Sequence, residues 1–164
     1  MNTTTQVTTG FNNGVFSLNY QSDGKILVGG NFSQYNGQVL SSEVIRLNSD
    51  GTIDNSFNYG GPSYVYVNNV LQQTDGKVLV GLGQINGTNG FLVQRTNTNG
   101  TLDGSFGNVN FPNGGVVTKL LEQPDNKILV AGTFSDVGTI YHKLVRLDTD
   151  GSIDPSLVME GFNL

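Results

Sequence analysis

The sequence predicts an all-β fold of three four-stranded antiparallel repeat units of about 50 residues each, and three observations carry that prediction. The block QSDGKILVGG at 21–30 returns as QTDGKVLVGL at 73–82 and as QPDNKILVAG at 123–132. A second block, RLNSDGTID at 46–54, returns as RTNTNGTLD at 95–103 and RLDTDGSID at 146–154. The first blocks are spaced by 52 residues (Gln21 to Gln73) and 50 (Gln73 to Gln123), close to the period of solenoids, propellers and arrays. Third, short apolar runs alternate with Gly, Asn and Asp turns, the mark of strands joined by hairpins.

Within each unit the elements follow in order. Residues 14–20 (GVFSLNY) alternate apolar and polar side chains at period two, which predicts a half-buried first strand. The turn holding Asp23 and Gly24 leads into residues 25–28 (KILV), a second strand apolar on both faces. The pair recurs as 64–72 with 77–80 and as 116–122 with 127–130, with turns at Asp75-Gly76 and Asp125-Asn126. A variable segment follows, 31–42 in the first unit, expected as a surface loop with turn signals at Asn36-Gly37, Asn86-Gly87 and Asn89-Gly90. The third strand (43–48, 91–97, 143–148) then crosses a tight turn into the fourth. A three-residue loop ending in a left-handed Gly places Arg46 opposite Asp54, Arg95 opposite Asp103 and Arg146 opposite Asp154. Such cross-strand pairs, taken as exposed, are worth about 0.2–1 kcal/mol and serve to fix register.

The units span about 11–61, 62–114 and 115–164 of a single repeat domain covering 1–164, preceded by an N-terminal strand or arm at 1–10. GFN at 161–163 repeats GFN at 10–12, so the chain is expected to hold three units and little else. Charged residues are 13% of the composition, about half the ~25% of an average domain. Eight basic residues against 13 acidic give a net charge of −5 without a basic run, which removes the driving force for nucleic acid. Cysteine is absent, excluding disulfides and thiolate metal sites. The first residues lack a signal-peptide pattern, and no apolar run is long enough to span a bilayer. The expectation is a virion or extracellular location reached by host lysis or particle packaging.

The paired blocks, QxDGKILVGG then RLNxDGxIDxSF, resemble the delta-60 repeat family over residues 11 to 157. The resemblance implies β-propeller blades and no assigned chemistry. Departures are Asn126 for Gly, Thr96 for Leu, Asn99 for Asp and Leu157 for Phe. Propellers ordinarily close with four to eight blades, so three imply a homo-oligomer that completes the ring, or other structural proteins as neighbours. A closed β-trefoil-like monomer is the alternative, since it too has threefold units of four strands.

Several residues carry side chains suited to chemistry. Asp148, Asp150, Gly151 and Asp154 resemble the middle of a calcium loop, but Arg146 and Leu157 stand where the first acid and the bidentate Glu belong. In the second unit Asn97 and Asn99 replace both early carboxylates, so no metal or cofactor is expected. His142 is the sole histidine, which rules out an intrachain multi-histidine site. Glu43, Glu122 and Glu160 offer carboxylates, but nothing in their spacing selects a glycosidase pair. Phe32, Tyr35 and Tyr141 lie in or beside variable segments and are the candidate partner-binding residues, for a protein or a surface glycan. Tyr64 and Tyr66 share a strand face and are expected to pack in the core or between blades. The expected function is non-enzymatic: a structural or attachment module, as a phage tail, fibre or decoration component. A carbohydrate- or protein-binding module of a bacterial surface is the alternative.

Overall fold

The computed structural model of the chain describes residues 9–63, 66–83, 91–107, 109–110, 115–135 and 141–157, without the side chains at 91, 92, 110, 134, 135 and 141–143. All described regular structure is antiparallel β. In the first unit β1 (Val15–Tyr20), β2 (Ile26–Gly30) and β5 (Val44–Leu47) form one sheet, while β3 (Gln34–Tyr35) and β4 (Gln38–Val39) make a small hairpin. In the second, β6 (Val67–Gln72), β7 (Val78–Leu82), β8 (Phe91–Thr96) and β9 (Val109–Asn110) lie side by side. In the third, the order is β10 (Gly115–Glu122), β11 (Ile128–Ser135) and β12 (Tyr141–Leu147).

The two recurrent turns set this register. Gly24, Gly76 and Asn126 all have positive φ, a conformation glycine adopts freely and asparagine tolerates, so Asn126 preserves the first turn. In the second, Gly51 N–H donates to Asn48 O, and Asp54 N–H donates to Arg46 O at 2.8 Å. The expected fourth strand contracts to a single bridge per unit: Leu47 with Ile53, Thr96 with Leu102 and Leu147 with Ile153. Beyond that bridge Asp54, Asp103 and Asp154 turn the chain by binding the serine two residues on.

Burial in β1 runs opposite to its hydropathy. Phe16, Leu18 and Tyr20 are exposed, whereas Ser17 is buried. The reason lies in the neighbouring units. Ser17 Oγ accepts from Val70 N–H across the junction with β6, and Asn69 Oδ1 accepts from Leu120 N–H in β10. Leu18 occupies the position that Val70 and Leu120 fill in the later units, where both are buried. The period-two pattern alone does not distinguish a face meeting the next unit from a face meeting solvent.

The core lies between sheets. Leu27, Val44, Phe57 and Tyr59 of the first unit pack with Val67, Val70, Val78 and Val80 of the second. Leu79, Val93 and Phe106 of the second pack with Val117, Leu120, Ile128, Val130 and Leu147 of the third. Gly29 and Gly81 allow this approach: a Cβ on Gly29 would lie 2.6 Å from Val67 Cγ1, and one on Gly81 2.6 Å from Val117 Cγ1. A third cluster, Val28, Phe32, Ile45 and Leu47, belongs to the first unit alone. Among the described residues no sheet closes on itself.

Candidate interaction site

The recurrent charged residues assemble into one cluster, built three times. Arg46 Nε donates to Asp54 Oδ2 at 2.7 Å, and Lys25 Nζ reaches the same oxygen at 2.8 Å. Arg95 and Lys77 meet Asp103 Oδ2 at 2.8 and 2.9 Å, and Arg146 and Lys127 each meet Asp154 Oδ2 at 2.7 Å. The lysine lies immediately before the second strand, at the end of the first recurrent turn, so the cluster ties both recurrent turns of a unit together. Arg46, Arg95 and all three aspartates are buried, unlike the exposed pairs the sequence suggested. Breaking a buried pair costs more than breaking a surface one, because an unpaired charge remains in a dry site.

Burial pushes the Asp54 and Asp103 carboxyls up. Hydrogen bonds from Lys25, Ser56 and Arg46, and from Ser105, Lys77 and Arg95, outweigh it and hold both well below the usual carboxylate range. At Asp154 the hydrogen bond from Lys127 leads, followed by those from Ser156, with the same result. Carboxylates engaged in this way are poor proton donors or acceptors near neutral pH. Asp50 and Asp150 each accept from a backbone N–H and hydroxyl two residues on. Among the described residues no group of three or more acidic or histidine side chains is placed to hold a metal ion.

Two of the guanidinium groups also reach forward. Arg46 Nη1 donates to Thr98 O and Arg95 Nη1 to Thr149 O, the same carbonyl in successive units. Phe57 lies under Arg46 and Phe106 under Arg95, a cation–π arrangement. Backbone donors follow: Asn58 N–H to Asn99 O, and Gly107 N–H to Asp150 O. A polar cleft of about 350 Å³ opens at the second junction, lined by Gln73, Thr74, Asp75, Arg95, Glu122, Asn126 and Thr149. Glu122 spans it, accepting from Gln73 Nε2 and Thr74 N–H.

The candidate partner-binding residues are not brought together at the surface. Phe32 is fully buried and cannot offer its ring to a partner; at 4.4 Å between centroids it packs on Phe11. Tyr35 is half-buried, against Phe11, and donates its hydroxyl to Gly51 O. The side chains of Tyr141 and His142, with Tyr64, Glu160, the turns at 86–90 and the GFN at 161–163, lie outside the described residues. Tyr66 is exposed rather than in the core and meets Phe16 edge-on across the first junction, centroids 6.4 Å apart. Tyr59, which carried no role in the sequence reading, is buried and donates to Gln94 Oε1. Burial, then the nearby Glu43, raises its phenol far above the ordinary value. The exposed apolar strip is Phe16, Leu18 and Tyr20 on β1. In the sequence Leu18, Val70 and Leu120 are alike in being apolar, so no residue-level signal marked Leu18 as the uncovered one.

Antiparallel sheets packed face to face in sequence order, each carrying the same turn-locking ion cluster, define a β-repeat protein. Over residues 21–57, 73–106 and 123–157 the chain matches the family described as "Domain of unknown function (DUF5122) beta-propeller", and it belongs to that family. No curated protein of similar sequence was found. No helix among the described residues is long and apolar enough to cross a membrane.

Proposed function

We propose that the chain is a non-enzymatic structural or attachment module of a larger assembly, made of three four-stranded blades of the delta-60 type. The observation that carries this reading is that the recurrent charged side chains are spent on internal ion pairs and on carbonyls of the next unit. What recurs is therefore a scaffold. The particular assembly proposed is a phage virion, as tail, fibre or decoration protein, located in the particle or outside the cell. Its neighbours there are other structural proteins or further copies of the chain. Mass spectrometry of gradient-purified particles tests the proposal: the chain should co-sediment at fixed stoichiometry, and its absence from particles would refute the virion assignment.

A second reading, carbohydrate or protein binding at a bacterial surface, draws on the exposed Phe16–Tyr66 pair and Tyr20. Exposed aromatic rings are suited to stacking on apolar sugar faces. A glycan array separates the two, with Tyr66→Ala as control.

A further inference from the structure

Every unit has an incoming face, which receives the unit before it, and an outgoing face, which meets the unit after it. In the second unit the incoming face includes Val78 and Val80, covered by Phe57 and Tyr59 of the first. In the third it includes Ile128, Val130 and Leu147, covered by Phe106 and Val109 of the second. The equivalent residues of the first unit are Ile26, Val28 and Leu47, and they too are covered, by Phe11 of a strap at residues 9–13, by Phe32 of the segment after β2 and by Tyr35 of the β3–β4 hairpin.

We infer that this strap and hairpin form an end cap, standing where a preceding blade would pack and closing the first unit to one. Two further correspondences support the substitution. Gly100 O accepts from Gly60 N–H of the preceding unit at 3.0 Å, whereas the equivalent Gly51 O accepts from the Tyr35 hydroxyl at 2.8 Å. A Cβ on Gly100 would lie 2.5 Å from Asn58 O and one on Gly151 2.6 Å from Gly107 O, both in the preceding unit; on Gly51 it would meet only Tyr35 Oη, at 3.7 Å. The cap is a folded piece. Asn36 and Gly37 take φ of 49° and 78°, as a tight two-residue hairpin turn requires. Phe11 bridges Tyr35, Asn36 N–H donates to Gly10 O, and Asn12 Oδ1 accepts from the N–H groups of Ser33 and Gln34.

The outgoing face of the third unit departs from the pattern of the first two. Where the first two units carry Gly29 and Gly81 to admit a valine, the third carries Ala131; where they carry Ser17 and Asn69 as acceptors, it carries exposed Lys119, which can only donate. A second copy of this chain therefore meets, on the first unit, a face capped over β2 and β5 with only the β1 strip of Phe16, Leu18 and Tyr20 open, and on the third unit an ill-fitting one. Within the proposed structural role, which this inference refines, the cap disfavours a further copy of the chain packing on β2 and β5 of the first unit and leaves other structural proteins as the neighbours on that face.

The test combines uncapping and matching. Wild type, F11A/Y35A, K119N/A131G and the fourfold variant are compared by sedimentation velocity, apolar dye binding and hydrogen exchange. Wild type should run as a species whose mass is unchanged by Leu18→Asp. F11A/Y35A should bind dye and exchange faster in β2 and β5. The fourfold variant should associate with rising concentration, and Leu18→Asp should abolish that association. A wild-type oligomer that Leu18→Asp dissociates would overturn the inference, as would F11A/Y35A with undiminished protection in β2 and β5. If F11A/Y35A does not fold, Tyr35→Phe serves instead: faster exchange across 48–54 supports the cap, and unchanged exchange refutes it. None of these readouts depends on whether the chain is found in virus particles, so failure of the cap and failure of the virion assignment are separately visible.

Discussion

The junction between the first and second units and that between the second and third are the same joint made from different side chains. At both, a guanidinium reaches the carbonyl two residues before the turn glycine, a phenylalanine lies beneath it, and a glycine admits a valine. At the inner strands the parts differ. Ser17 and Asn19 serve the backbone of β6, whereas Asn69 and Glu122 fasten β6 to β10. The shared parts sit where geometry is demanding, at a buried charge and a backbone approach; the variable parts need only supply an acceptor. Stability should therefore be lost alike at the two joints when shared parts are changed, and unequally when variable ones are.

The largest effect is expected at the buried aspartates. Asp103→Asn leaves Arg95 and Lys77 without their carboxylate and should cost about 3 kcal/mol, with Asp54→Asn matching it in urea unfolding. Asp154→Asn should lose less, because Arg146 meets no following turn among the described residues and its cluster is more open. Next come Gly29→Ala and Gly81→Ala, each overpacking a stiff valine, at about 1–3 kcal/mol. Asn69→Leu strips the acceptor from Leu120 N–H and should cost about 1 kcal/mol, with little change in hydrogen exchange at the first junction.

The smallest effect within the ordinary pH range is acid sensitivity. The Asp54 and Asp103 carboxyls titrate lower in the folded chain than when unfolded. Their contribution is therefore complete above the ordinary carboxylate pKa of about 4 and is lost as pH falls below it. Melting temperature should be flat from about pH 8 to 5 and decline in more acidic buffer. Asp103→Asn should make that decline shallower.

Turns and register were legible in the sequence because each depends on a few local residues: Gly51 and its equivalents impose the loop, and the loop puts Arg46 beside Asp54. Burial of that pair was not legible, since Lys25, Phe57 and Thr98 O come from three other places in the chain. The exposed side of β1 and the burial of Phe32 were missed for one reason. Which face of a strand is covered depends on what packs over it, and neither periodicity nor loop position encodes the neighbour. The family match supplies the propeller class, whereas the cap becomes visible only when equivalent faces of successive units are compared.

The units are held by direct sheet-to-sheet contact at the glycine positions. A double-mutant cycle on Gly81 and Val117 probes that contact. Gly81→Ala and Val117→Ala should each destabilise the chain, and the double variant should be more stable than the sum of the two losses predicts by about 1 kcal/mol or more, because the new methyl enters the space the valine vacates. Additive losses within about 0.3 kcal/mol would show that the two residues do not share a contact, and would contradict the account.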